Sequence, residues 1–127
     1  MIVPPRGSQA RQRVNLEQPI VKAILEWLAL VKIPAWRQNT GAIRAEYKGK
    51  ERFIRYGIVG GSDILGIVPH WGPSPGRWIA IEVKRPGREP TPTKRAFLEM
   101  IRTNGGIAMS VHSLQECIVL MDVAGLT

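Results

Sequence analysis

Residues 78–84 read Trp-Ile-Ala-Ile-Glu-Val-Lys, an apolar segment with two charged residues near its end. Because the side chains of a strand alternate between the two faces of a sheet, Ile79 and Ile81 point to one face, and Glu82 and Lys84 point to the other. An isolated Glu-x-Lys is most often a solvated charge pair at a strand edge. Here the two opposite charges project from one face of a strand that looks central and apolar, and they gain weight only together with further acids.

Two further carboxylates complete a pattern that suits a hard cation. Gly61-Ser62-Asp63 places an acid at the start of a second apolar strand, 64–68, and Glu17 lies on the inner edge of a predicted helix. Each has an ordinary explanation, Asp63 as a turn residue and Glu17 as a first-turn acid that favours the helix dipole. Three carboxylates and a lysine that converge over one sheet face would bind Mg²⁺, because this ion prefers oxygen ligands.

The hydrophobic periodicity predicts the order helix, several strands, helix, strand, helix. The first helix is expected over residues 16–32, with Asn15 as its N-cap and with Leu16 and Val31 in its apolar stripe. Residues 43–47 and 52–56 flank a basic turn and predict a solvated hairpin. Thr91 and Ser113 are the predicted caps of the two later helices, and Phe97, Met100 and Ile101 are predicted to face inward from the first of these.

The composition describes one small basic domain. Its 127 residues carry 18 Lys and Arg against 10 Asp and Glu, a net charge of +8 at pH 7. This excess favours a polyanionic partner, most often nucleic acid, although it also occurs as ordinary surface charge. The single cysteine, Cys117, excludes an intramolecular disulfide, and no apolar run approaches the roughly 18 residues of a membrane span. We therefore expect a cytoplasmic domain over residues 15–127, with no membrane contact, after a flexible basic arm of residues 1–14.

In their order and spacing, these segments resemble the PD-(D/E)xK nuclease superfamily and, within it, the virus-type replication-repair nuclease (VRR-NUC) family. The resemblance rests on residues 36–41 (Trp-Arg-Gln-Asn-Thr-Gly), 61–66 (Gly-Ser-Asp-Ile-Leu-Gly), 81–86 (Ile-Glu-Val-Lys-Arg-Pro) and the Thr91-Pro92 helix before Gly105-Gly106. It implies an α/β fold with a restriction-endonuclease-like core, a mixed sheet of about four strands flanked by helices. It also implies a Mg²⁺-dependent endodeoxyribonuclease in which Mn²⁺ substitutes for Mg²⁺.

The resemblance implies roles for single residues. Asp63 and Glu82 bind the metal, with the Val83 carbonyl as a backbone ligand. Lys84 holds or polarises the attacking water, and Glu17 completes the outer shell or holds a second metal. Several further residues are expected to contact DNA, namely Arg37, Gln38 and Asn39 near the site, Lys94 at a helix position where the family often has Gln, and the hairpin cations Arg44, Lys48, Lys50, Arg52 and Arg55.

Two other interpretations stay open. One is a non-catalytic, basic DNA-binding module in which the acids serve only structure. The other is a protein-interaction module whose contact surface is formed by Trp27, Trp36, Trp71 and Trp78.

The nuclease interpretation also predicts a substrate and an assembly. Branched DNA, such as a Holliday junction or a flap, is the expected substrate. One site per chain cuts one strand, so cutting both strands of a junction predicts a homodimer. Its two candidate contact surfaces are the segment 68–78 and the final helix, through Leu114, Ile118 and Met121, and both could equally belong to the core.

Overall fold

The computed structural model describes residues 16–38, 41–56, 61–70 and 73–126. In these ranges, three helices and six strands follow one another in the predicted order. They are α1 (Gln18–Leu30), β1 (Ala35–Arg37), β2 (Gly41–Tyr47), β3 (Lys50–Tyr56), β4 (Ile64–Val68), β5 (Arg77–Val83), α2 (Pro92–Thr103), β6 (Ile107–Val111) and α3 (Leu114–Val123). Within these residues, no helix has the length and apolar character needed to cross a membrane.

The central sheet has four strands in the order β1-β4-β5-β6. β4 is antiparallel to both β1 and β5, whereas β6 is parallel to β5. A parallel pair needs a long crossover connection, and α2 provides it. α1 and α3 pack on one face of the sheet and α2 on the other. The predicted α/β fold, a mixed sheet of four strands flanked by helices, is confirmed.

Strand alternation divides the core into two clusters. On the face covered by α1 and α3, the buried sheet residues include Ile64, Ile79 and Ile81. On the opposite face, which we call the α2 face, Leu65 and Ala80 pack against α2. Since Ala80 and Glu82 have the same parity on β5, Glu82 emerges on the α2 face.

Cys117 of α3 is fully buried in the core. Burial raises the pKa of its thiol to about 12. The thiolate is the reactive form of cysteine, so this side chain acts as a small apolar group of the core.

The first helix is shorter than predicted at both ends. Its N-cap is Glu17, without a side-chain capping bond, and the Asn15 prediction lies outside the described residues. The helix ends in a Schellman motif, because the N–H of Ile33 donates to the carbonyl of Leu28 at 2.9 Å while Lys32 has a positive φ of 62°. Leu16 and Val31 flank the helix and are exposed, so their predicted place in the buried stripe is wrong.

The predicted hairpin is confirmed by its backbone. β2 and β3 pair antiparallel from Gly41 opposite Tyr56 to Tyr47 opposite Lys50. The two turn residues, Lys48 and Gly49, have φ values of 51° and 75°. Positive φ at both positions is typical of a type I′ turn, whose twist matches that of the strands.

Two burial predictions are corrected on the helices. Phe97 and Ile101 pack against the α2-face cluster as expected, but Met100 is exposed and Leu98 is the buried residue of α2. Met121 of α3 is fully buried in the core. It is therefore not available as the dimer contact that the sequence suggested.

Gly66 allows β1 to lie close against β4. A Cβ at this position would lie 2.5 Å from the carbonyl oxygen of Pro34 and 2.9 Å from the Cβ of Ala35. Such distances are shorter than atomic contact allows, so a side chain here would push the strands apart. The last residue of the segment 61–66 therefore has a packing role.

Candidate metal and nucleic-acid site

A row of polar residues crosses the α2 face at one end of the sheet. Ile64 is opposite Ile81 in the β4–β5 ladder, so one step further Asp63 stands opposite Glu82. Glu82 in turn pairs with Ser110 of β6. On the other side, the backbone N–H of Gln38 donates to the carbonyl of Asp63 at 2.8 Å. We call Gln38, Asp63, Glu82 and Ser110 the polar row.

Asp63 is fixed by the neighbouring strand. Its Oδ2 atom accepts a hydrogen bond of 2.8 Å from the backbone N–H of Val83. This bond crosses from the start of β4 to the end of β5, and the side chain remains half-buried. The carboxylate of Asp63 is thereby held beside the residue pair Glu82 and Val83, as the metal-site prediction requires.

Glu82 is a buried carboxylate with two cationic neighbours. Its side chain is 1% exposed, and its Oε1 atom lies 2.9 Å from Nζ of Lys94 and 3.8 Å from Nζ of Lys84. Burial raises the pKa of Glu82; the hydrogen bond from Lys94 opposes this effect and the charge of Asp63 adds to it. Among the described residues, its Oε2 atom has no hydrogen-bond partner although it is buried. One oxygen is thus held by ammonium groups and the other is available to a ligand.

Lys94 reaches this carboxylate from the first turn of α2. The side chain of Thr91 caps the helix by accepting from the backbone N–H of Lys94 at 3.4 Å. The ammonium also donates to the carbonyl of Gly61 at 3.5 Å. The family resemblance makes the position of Lys94, where Gln is frequent, the polar partner of the active-site face, and it also suggested a DNA contact. The ammonium does point to that face, where it meets Glu82. That contact depends on how α2 lies across the sheet, which the local sequence does not contain.

Lys84 shares the face of Glu82, as the alternation of β5 predicts. Its backbone N–H donates to the carbonyl of Val111 at 2.9 Å, which continues the pairing with β6 beyond the strand end. Its side chain is largely buried. The ammonium therefore lies at the edge of the polar row, next to Glu82.

Glu17 does not join the other two acids. Among the described residues, no group of three or more His, Cys, Asp or Glu side chains lies close enough to hold a metal ion. Glu17 precedes α1, a helix that packs on the face opposite to Glu82. The predicted convergence of three carboxylates is thus replaced by a pair of acids with two lysines.

The predicted DNA-binding residues do not lie on one common surface. Arg37 donates to Oε1 of Gln18 on α1, so it lies on the face away from the polar row, whereas Gln38 is part of that row. Lys48 and Lys50 are exposed at the hairpin turn. The remaining predictions concern Asn39 and the side chains of Arg44, Arg52 and Arg55, which lie outside the described part of the chain.

Ser110 is a member of the site that the sequence analysis did not identify. Its Oγ atom and that of Ser62, the neighbour of Asp63, are buried without a hydrogen-bond partner among the described residues. The available signal is the alternation of β6, which puts Ser110 and Ala108 on one face and Met109 on the other. Its pairing with Glu82 follows only from the parallel register.

The donor atoms fit a hard divalent cation. Asp63 and Glu82 supply carboxylate oxygens, and Val83 adds a backbone carbonyl of the kind that such ions accept. The buried Oε2 atom of Glu82 needs a partner, because an unpaired polar atom costs free energy away from water. These oxygens suit Mg²⁺ or Mn²⁺, and the described residues nearby offer no sulfur ligand that would favour a softer metal.

An aromatic surface lies on the same face as the polar row. The rings of Trp36 and Trp78 meet edge to face with centroids 6.1 Å apart, and the two residues are 42% and 51% exposed. A pocket of about 330 Å³ lies beside Trp78 under Phe97 and Ile101. Trp27 packs against the core instead, and Trp71 lies outside the described residues. Of the three predicted tryptophans that the structure describes, Trp36 and Trp78 form this surface and Trp27 does not.

Comparison with known proteins identifies the fold. No protein-family model matches the sequence, and no curated protein matches it significantly. A solved structure named "VRR_NUC domain protein" superposes with a TM-score of 0.51 over 87% of this chain and 88% of its own. The fold is VRR-NUC-like. The two sequences are 13% identical, so the similarity is one of fold.

Proposed function

We propose that this protein is a metal-dependent DNA endonuclease that hydrolyses phosphodiester bonds. The observation that carries the proposal is that Asp63 stands opposite the buried Glu82 in a VRR-NUC-like fold. Lys84 follows Glu82 by two residues on the same strand face and lies beside it. A buried carboxylate beside a second, half-buried carboxylate and an ammonium is expensive to maintain in a purely structural role. The same groups are useful where a cation and a phosphate must be held together.

Each side chain has a distinct task in this proposal. Asp63, Glu82 and the carbonyl of Val83 would hold Mg²⁺, or Mn²⁺ in its place. When bound, such an ion supplies Lewis-acid stabilisation of the phosphate and lowers the pKa of water. Lys84 orients the attacking water and neutralises charge that develops on the phosphate, because its ammonium is fixed beside Glu82. The role suggested for Glu17, in an outer shell or at a second metal, has no support from the grouping of acids described above.

The net charge of +8 supports DNA as the partner. We propose that the exposed hairpin cations Lys48 and Lys50 contact phosphates without reading sequence. Gln38 lies in the polar row, and we propose that it contacts DNA beside the scissile phosphate. Branched DNA is the proposed preferred substrate.

A homodimer is part of the proposal. One site cuts one strand, and a two-fold axis matches the approximate symmetry of a four-way junction. Since Met121 is buried, the exposed apolar residues of α3, Val119 and Val123, replace it as the contact to test. Sedimentation at micromolar concentration distinguishes a dimer from the 14.1 kDa chain. Junction cutting by a species of monomer mass would contradict the dimer.

The decisive experiment is cleavage of labelled duplex, flap and four-way junction DNA with Mg²⁺, Mn²⁺ or EDTA. We expect cleavage with either metal, a preference for branched DNA and no cleavage in EDTA. Glu82→Gln is the matched control, because it keeps the size of the side chain and removes its charge. Tight DNA binding without cleavage in any metal would favour the non-catalytic DNA-binding module.

A further inference from the structure

Lys94 neutralises Glu82 within the protein itself. Its ammonium lies 2.9 Å from Oε1 of Glu82, closer than that of Lys84 at 3.8 Å. We infer that Lys94 is a built-in counter-cation, which holds Oε1 of Glu82 and is released when a divalent cation binds to this carboxylate. This inference rests on the metal site of the proposed function and assigns Lys94 a regulatory position within it.

The charge balance of the site supports this role. Asp63 and Glu82 contribute two negative charges, and Lys84 and Lys94 contribute two positive charges within the same cluster. A buried carboxylate needs such a partner in the absence of metal, because its desolvation is otherwise uncompensated. With both lysines in place a divalent cation meets a site of zero net charge, so its binding is weakened unless one ammonium leaves.

Of the two lysines beside Glu82, Lys94 is the one that can more easily move away from the carboxylate. Its side chain is 29% exposed, compared with 17% for Lys84, and it starts from the first turn of a helix whose neighbouring residues Thr93 and Arg95 are exposed. Its other contact, to the carbonyl of Gly61, is long at 3.5 Å. A released ammonium at the rim of the site is free to bind a DNA phosphate. Metal binding and phosphate binding would then be coupled through one side chain.

The first test measures metal affinity without DNA, by calorimetric titration of the full chain with Mn²⁺. We expect Lys94→Gln to bind Mn²⁺ at least about tenfold more tightly than the wild type, the order of effect of one charge within a few ångströms. Lys94→Arg keeps the charge and should stay near the wild type. Arg95→Gln is the matched control, since it makes the same charge change on an exposed neighbour and should alter affinity less than about threefold. Unchanged or weaker binding by Lys94→Gln, or no Mn²⁺ binding by any variant, would overturn the inference.

A second measurement uses the wild type and does not depend on the folding of a variant. In protein labelled with ¹⁵N-lysine, the Nζ signal of Lys94 should shift as Mg²⁺ is added, while that of the exposed Lys22 stays unchanged. A Lys94 signal that is unmoved at saturating Mg²⁺ means that the ammonium stays on Glu82, which contradicts release. Both readouts are independent of cleavage. A tighter Lys94→Gln variant and a shifting Lys94 signal in a protein that cuts no DNA would therefore support the inference and refute the proposed function.

Discussion

Oδ2 of Asp63 accepts a 2.8 Å hydrogen bond from the backbone N–H of Val83, the residue next to Glu82. The carboxylate thus has a structural task in addition to its proposed task as a metal ligand. An Asn side chain can perform the first task with its amide oxygen but supplies no charge for the second. The two tasks can therefore be separated by comparing two substitutions at one position.

We predict that Asp63→Asn and Asp63→Ala both reduce cleavage at least about a hundredfold, since even the second-sphere partners of metal ligands contribute up to about that much. Only Asp63→Ala should also lose stability, by about 1–2 kcal/mol, because it leaves the Val83 N–H without its acceptor. Cleavage assays and urea unfolding measure the two effects. Near-wild-type cleavage by Asp63→Asn would show that the charge is not needed.

Lys84 is predicted to be required as a compact point charge. Lys84→Ala should abolish turnover, and Lys84→Arg should restore little of it, because a guanidinium keeps the charge but presents it to the attacking water as a wide planar group and not as a compact point. DNA affinity in Ca²⁺ should change little in either variant. Arg85→Ala, the neighbouring cation, is the control and should keep most activity. Strong activity of Lys84→Arg would reduce Lys84 to a general phosphate contact.

The order of elements and most of their bounds could be predicted because the signals are local. Thr91 and Ser113 cap α2 and α3 as expected, and the predicted turn at residues 48–50 is present at Lys48 and Gly49, with Lys50 already in β3. The prediction was less accurate at α1. There the apolar periodicity continues through Leu16 and Val31, which flank the helix and are exposed, while the Schellman motif fixes its C-terminal end.

The site could be predicted only along single strands. Alternation on β5 places Glu82 and Lys84 together, and the apolar strand after Asp63 brings that acid to its edge. The contacts of Ser110 and Lys94 depend on a parallel register and on a helix crossing, both of which are set by long-range packing. The same packing puts α1 on the opposite face and keeps Glu17 out of the group.

DNA binding should weaken steeply with salt, through the hairpin cations. On duplex DNA the logarithm of affinity falls by about 0.9 per contacted phosphate for each decade of salt. Replacing Lys48, Lys50 and Arg52 together by Gln should make the slope shallower by up to about 2.7, measured in Ca²⁺. A control triple with the same charge change, at Lys22, Lys32 and Arg88, should alter the slope less. Equal effects of the two triples would mean that net charge, and not the hairpin, sets binding.

The backbone at Lys32 is predicted to be strained, and a substitution by glycine should relieve that strain. Its φ of 62° is in the left-handed region, where glycine carries no steric penalty. Lys32→Gly should raise the free energy of unfolding by about 0.5–1 kcal/mol. Lys32→Ala removes the same charge without relieving the backbone and should not stabilise the protein. Urea unfolding at one pH compares the three proteins, and equal gains for Gly and Ala would assign the effect to charge.

His112 links two segments near the site through both of its ring nitrogens. Nε2 lies 3.0 Å from the carbonyl oxygen of Arg88, and Nδ1 lies 3.2 Å from Oε2 of Glu116. Oε1 of Glu89 is a third acceptor, 3.3 Å from Nε2. Acceptors on both sides favour the imidazolium, which donates from both nitrogens. The Arg88 carbonyl and the Glu116 carboxylate therefore raise the pKa of His112.

This arrangement predicts a pH dependence of stability with a definite sign. A histidine whose pKa is higher in the folded state stabilises the fold fully below its unfolded pKa, near 6.5, and loses that contribution as the pH rises through the folded pKa. We expect the melting temperature of the wild type to fall by a few degrees over this range, in addition to any general trend. His112→Gln should melt lower at pH 6 and lack this fall. His70→Gln, at the exposed second histidine, is the control and should follow the wild type. If the wild type and His112→Gln have parallel melting curves from pH 5 to 9, the imidazolium does not hold the segment that joins β5 to α2.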